Sequence, residues 1–138
     1  MSAPSTEPIH LTVERVREIH QQVINRFGGS DGLRDHSLLE SAISAPQATF
    51  GGESLYEDMV EIAAAYLFYL CRNHPFIDGN KRTGFMVAIV FLSINGFKIV
   101  TQDDKNHEDM MVDLAEKKVT REAFSGYLKK HARPSSEN

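Results

Sequence analysis

Residues 74–84 read His-Pro-Phe-Ile-Asp-Gly-Asn-Lys-Arg-Thr-Gly, and the residues after them form the most apolar helical run in the chain. Lys81 and Arg82 therefore fall in the first turn of a buried helix, where the macrodipole is positive and cations are disfavoured. Gly79 and Gly84 flank the pair, and each costs helix stability relative to Ala. Local rules broken together at one place mark a functional site. An anion resolves the conflict. Helix N-terminal N–H groups, two cations and an approach opened by glycine together receive phosphate. His74 and Asp78, just upstream, supply a candidate general base and a candidate Mg²⁺ ligand.

Outward from this stretch the apolar period is helical almost everywhere. Val13, Val16, His20, Val23 and Phe27 share one face of a helix that Thr12 can cap and Gly28-Gly29 can end. Asp35 can cap a second, shorter helix through Leu38, Leu39, Ala42 and Ile43, stopped by Pro46. Phe50-Gly51-Gly52 is a turn signal, which predicts a flap or small hairpin over 48–54. A long helix is predicted over 57–73, with Met59, Ile62, Ala63, Tyr66, Leu67 and Leu70 facing the core. Pro75 cannot continue it and biases His74 toward an extended conformation.

The next helix is predicted from Gly79 or Asn80 to Ile94. Its 85–92 segment is apolar all round, as a central helix should be. Asn95-Gly96 offers a left-handed stop. Residues 97–100 read as briefly extended, and two helices are predicted to follow, one from Asn106 with Asp109 as capping partner and one from Thr120. The fold class is all-α: one domain of about six helices with one flap, over residues 9–131. Residues 1–8 and 132–138 read as disordered tails.

The global numbers agree with a small soluble domain. The 138 residues, 41% hydrophobic and 25% charged, suffice to bury a core. A net charge of −4 gives no support to direct nucleic-acid binding or to attraction by an anionic membrane. No apolar stretch approaches the roughly 20 residues that span a bilayer, and the single cysteine, Cys71, cannot form an internal disulfide. The expected location is cytoplasmic.

Roles follow from side-chain chemistry. An imidazole titrates near operating pH, as a general base should, which selects His74. Asp78 can bridge Mg²⁺ to phosphate oxygens, since Mg²⁺ prefers one or two carboxylates plus phosphate. Asn80 can hydrogen-bond phosphate without adding charge. Arg82 can clamp it bidentately and Lys81 adds a point charge. Phe76 anchors the loop. Phosphoryl or nucleotidyl transfer needs these parts, because its catalysis is mostly positioning and charge stabilisation. A P-loop is excluded: Gly79 and Gly84 have the Walker spacing, but Phe85 stands where the lysine should be. His10, His20, His36, His107 and His131 show no paired metal spacing, and Cys71 reads as a small core residue.

The segment HPFIDGNKRTGF at 74–85 resembles the Fic/Doc motif, HxFx(D/E)GN(G/K)R. Upstream, GLRDHSLLESAISAPQATFGG resembles the start of that family's core and its target-docking flap. NGFKI and the closing helices resemble it downstream. The form GNKRTG, without a second arginine, resembles the Doc (death-on-curing) branch. Adenylylating Fic enzymes carry Gly at the position of Lys81 and Arg at that of Phe85.

This resemblance implies a toxin of a toxin–antitoxin pair. The activity it implies is a protein kinase that transfers the γ-phosphate of ATP to a threonine of elongation factor Tu, arresting translation. The alternative is a Fic-type protein adenylyltransferase. His74 would be the general base, Asp78 would bind Mg²⁺, and Gly79, Asn80, Lys81 and Arg82 would hold the phosphates. Thr49, Phe50, Gly51 and Gly52 would form the flap that docks the target by main-chain pairing. A Phd-like antitoxin would be the partner. The family's inhibitory helix carries (S/T)xxxE(G/N). Its nearest match here, Thr49 with Glu53, holds two glycines and reads as chance.

Overall fold

The computed structural model describes residues 7–100, 113–114, 116–117 and 119–136. Helix α1 spans Val13–Phe27: the Thr12 hydroxyl accepts from Arg15 N at 3.1 Å, and Gly28, at φ 84°, closes the helix. Its buried face is Val16, Ile19, His20, Val23 and Ile24. Helix α2 spans His36–Ser44 under an Asp35 cap and passes into a 3₁₀ turn, Ala45–Gln47, around Pro46. Strands β1 (Thr49–Phe50) and β2 (Glu53–Ser54) make a hairpin whose turn residues Gly51 and Gly52 have φ 62° and 86°. The Thr49-to-Glu53 segment is therefore hairpin and not helix.

Helix α3 runs Met59–Asn73 and α4 runs Asn80–Ile94. The predicted start of α3 at Glu57 moves to Met59, because the Asp58 side chain accepts from Glu61 N at 2.9 Å and takes the cap. The two helices form the centre, with α2 and the final helix on α3 and α1 on α4. Gly84 of α4 lies directly against α3. A Cβ there would stand 3.0 Å from Leu67 Cδ1 and 3.3 Å from Leu67 O. Its absent side chain thus serves helix packing; no opening toward phosphate is needed to explain it. Phe85, Val87, Ala88, Phe91 and Leu92 of α4 are buried against Ile62, Tyr66, Leu67 and Leu70 of α3. Each buried Val, Leu, Ile or Phe among them contributes roughly 1.5–3 kcal/mol, and Ala88 less.

After α4, Gly96 at φ 90° turns the chain into β3 (Phe97–Ile99). The helix predicted from Asn106 begins outside the described residues; Asp113, Leu114, Glu116 and Lys117 are helical. Helix α5 spans Arg121–His131 under a Thr120 cap. One expectation is corrected here. Ala132–Pro134, read from sequence as part of a frayed tail, form β4 and pair antiparallel with β3, Lys98 opposite Arg133. The fold is mostly helical with small two-stranded sheets. No described helix is long and apolar enough to cross a membrane.

Candidate active site

The 74–79 loop joins the ends of the two central helices, and a second loop holds it from outside. Ile77 N donates to Gly32 O at 3.0 Å, Arg34 N and Asp35 N both donate to Pro75 O, and Leu33 bridges Phe76. The Arg34 side chain adds Nε to His74 O at 2.7 Å and Nη2 to Asn73 O at 2.9 Å. These last carbonyls of α3 would otherwise lack intrahelical partners.

His74 is exposed, and its backbone is left-handed, with φ 51° and ψ 54°. It is the only non-glycine residue with positive φ among those described. The extended conformation expected from Pro75 is thus corrected. His74 N–H bonds Leu70 O at 3.3 Å as the helix C-cap, and Arg34 fixes its carbonyl. A left-handed non-glycine residue costs about 1–2 kcal/mol, so the surrounding bonds must impose it.

Inside the loop, Phe76 is buried and stacks on His20 of α1, with 3.8 Å between centroids and 5° between planes. His20 Nε2 donates to Asp78 O at 2.8 Å. A carbonyl only accepts, so this nitrogen carries hydrogen. Asn80 is also buried, and its amide faces inward: Oδ1 accepts from Phe76 N at 2.9 Å and Nδ2 donates to Phe76 O at 3.0 Å. The side chain expected to reach phosphate is therefore directed at the loop itself.

At the mouth of the site, Asp78 Oδ2 accepts from Ser30 N at 3.1 Å and Oδ1 from Gly79 N at 2.9 Å. Gly79, at φ 77°, caps α4, whose first internal bond is Thr83 N to Gly79 O at 2.9 Å. The N–H groups of Asn80, Lys81 and Arg82 precede that bond. Gly79 N–H, expected to join them, is taken by Asp78. The Arg82 guanidinium lies 4.2 Å over the Phe27 ring at the end of α1.

His74, Asp78, Gly79, Asn80, Lys81 and Arg82 line one cleft of about 280 Å³, whose other wall is Val23, Phe27 and Gly28. Thr49, Phe50, Gly51 and Gly52 are not in that wall. Cys71 abuts α4, and burial pushes its thiol up to about 12 despite the nearby Lys81 charge. No cluster of three metal-ligating side chains occurs among the described residues. Four contributors escaped the sequence reading. His20 had a signal, as the one polar residue on α1's apolar face. Ser30, Arg34 and Phe27 had none, because their partners across the loop lie 39 or more residues away.

Comparison with known proteins accords with this geometry. The pattern of the Fic/DOC family matches residues 10–92. The chain is 43% identical over 90 residues to Toxin Doc of Mycolicibacterium smegmatis, covering 64% of this chain and 69% of that protein. It is 34% identical over 106 residues to Protein kinase doc of Escherichia phage P1, covering 77% of this chain and 82% of that protein. The match takes in α1, the clamp loop, both central helices and the motif between them, and the chain belongs to the Fic/DOC family.

Proposed function

We propose that this chain is a Doc-like toxin that phosphorylates a hydroxyl of a protein target, with ATP as donor. The observation that carries the reading is the single cleft shared by an exposed imidazole, an exposed carboxylate, two cations and a helix N-terminus. In the step proposed, His74 accepts the target hydroxyl's proton as that oxygen bonds to the γ-phosphorus. The bond from that phosphorus to the β-bridging oxygen breaks, and ADP leaves. Lys81, Arg82 and the first N–H groups of α4 hold the charge that the transferring phosphoryl carries.

Mg²⁺ bound beside the phosphates would neutralise their charge, and Asp78 is the residue to hold it. The site fits that ion: the carboxylate is exposed, and each oxygen accepts one backbone N–H while retaining lone-pair capacity. Two further facts favour transfer of phosphate over transfer of AMP. Phe85, where adenylylating relatives carry a second arginine, is 2% exposed and belongs to the core. A relative of 34% identity is named a protein kinase. A threonine of elongation factor Tu is the proposed target, docked by the 49–54 hairpin, and a Phd-like antitoxin the proposed partner.

Label transfer tests this. Purified elongation factor Tu and whole lysate receive ATP labelled at the γ- or the α-phosphorus, with wild type beside His74→Ala. Transfer from γ-labelled ATP alone, absent in His74→Ala, is the expected result. Transfer from α-labelled ATP would overturn the kinase reading in favour of adenylylation.

A further inference from the structure

Two peptide groups flank the Cα of His74. The first presents Asn73 O and the second presents His74 O. Arg34 binds both oxygens: Nη2 donates to Asn73 O at 2.9 Å and Nε donates to His74 O at 2.7 Å. A guanidinium is a rigid planar fork, so it holds the two oxygens at a set spacing. φ and ψ of His74 are the only soft rotations between those two planes. The fork therefore constrains both angles together, at 51° and 54°.

A side chain leaves its Cα in a direction that the flanking peptide planes determine. We propose that Arg34 is a positioning residue, which holds His74 left-handed and thereby aims its imidazole into the phosphate cleft. The inference rests on the phosphoryl-transfer reading, which gives His74 its role, and it adds to that reading a residue outside the motif.

Three relationships support it. The local sequence does not supply this backbone: Pro75 disfavours a right-handed His74 but leaves the extended conformation open, and that conformation lacks the Cβ strain of the left-handed one. The second peptide group ends in the nitrogen of Pro75, which carries no hydrogen, so its oxygen is its one hydrogen-bonding handle. Among the described residues Arg34 Nε is what holds that oxygen. The other bond to the flanking groups, His74 N–H to Leu70 O at 3.3 Å, reaches only the first of them. Finally, Arg34 is not in the wall of the cleft that His74 lines, so it acts through His74 and leaves the phosphates to Lys81 and Arg82.

Arg34→Met and Arg34→Lys test this beside wild type. Arg34 is exposed, and the N–H bonds of residues 34 and 35 to Pro75 O need no side chain, so both variants keep the fold. A positive φ brings a residue's own amide and α protons close and gives a strong NMR cross-peak between them. At residue 74 that peak should be strong in wild type, lost in Arg34→Met and intermediate in Arg34→Lys, because an ammonium cannot span both oxygens as a fork does. In transfer from γ-labelled ATP, kcat should fall about a hundredfold in Arg34→Met and about tenfold in Arg34→Lys, with KM for ATP unchanged. Glu61→Gln, near the other end of α3, should keep the wild-type kcat.

An unaltered cross-peak in Arg34→Met would overturn the proposal. So would an unaltered kcat, a loss carried by KM, or an equal loss in Glu61→Gln. Wild type that transfers no label would instead overturn the phosphoryl-transfer reading, and the cross-peak would still decide whether Arg34 sets the backbone at His74.

Discussion

The imidazole of His20 lies flat against the ring of Phe76 while its Nε2 holds the carbonyl of Asp78, two residues farther along. One side chain of α1 thus fixes both the anchor of the motif loop and the peptide that enters α4. His20→Phe keeps the stack and loses the hydrogen bond. It should cost about 1 kcal/mol, a fall of roughly 3 °C in Tm, and reduce label transfer about tenfold through the displaced Asp78. An unchanged transfer rate would show that the Asp78 peptide needs no such restraint.

Asn80 is the stricter case. Both atoms of its amide serve the Phe76 backbone in a buried setting. Asn80→Asp replaces the donor to Phe76 O with a second acceptor, so a carbonyl and a carboxylate would face each other out of water. A loss of about 2–3 kcal/mol is expected in urea unfolding, together with weakened ATP binding. A variant as stable as wild type would contradict the inward-facing amide.

The left-handed backbone at His74 predicts a conflict between stability and activity. His74→Gly should be at least as stable as wild type, since glycine adopts φ 51° without a Cβ penalty. His74→Ala should be the less stable of the two variants by about 1 kcal/mol, and both should lack transfer. Thermal melts of the pair read the backbone term, because neither retains the imidazole.

Acid stability should depend on Glu61. Burial raises its pKa, but hydrogen bonds from Lys129 and Ser125, with the charges of Lys129 and Arg121, outweigh that and leave it below 4.5. The Lys129 contact is 2.6 Å. A carboxylate whose pKa is lower in the folded state adds stability above its unfolded pKa and loses it as pH falls through the folded value. The urea midpoint of wild type should therefore drop below about pH 4.5, and Glu61→Gln should flatten that limb. Parallel curves for the two proteins would remove Glu61 from the acid transition.

Cys71 should be unreactive. With its thiol pushed up to about 12, almost no thiolate exists near neutral pH. Iodoacetamide at pH 7.5 should label the protein only in denaturant, and alkylation of the native protein at the rate of a free thiol would contradict this.

The sequence was most legible where structure is local. Thr12, Asp35 and Thr120 each announce a helix start, and each makes the expected cap. Gly28 and Gly96 announce turns and have positive φ. The apolar run of α4 disclosed the central helix, and the cations at its start, Lys81 and Arg82, line the cleft with His74 and Asp78.

Legibility failed where a distant partner chooses among local options. Pro75 disfavours right-handed helix at His74, but the left-handed alternative is selected by the α3 carbonyl ladder and by Arg34, 40 residues upstream. The 132–134 segment looks like a tail until 97–99 is beside it. Nothing in Gly-Asn-Lys tells which way the Asn80 amide points.

The clamp on the motif loop is made largely from peptide groups: Ile77 to Gly32, Arg34 and Asp35 to Pro75, Ser30 N–H to a carboxylate. Every residue except proline carries such groups, whatever its side chain. Substitutions at the exposed Ile77 side chain can thus occur without removing the peptide hydrogen bonds that hold the chain path shaping the cleft. The course of this loop pair is consequently written into the main chain, and the outer surface it presents can change in character while the cleft behind it keeps its form.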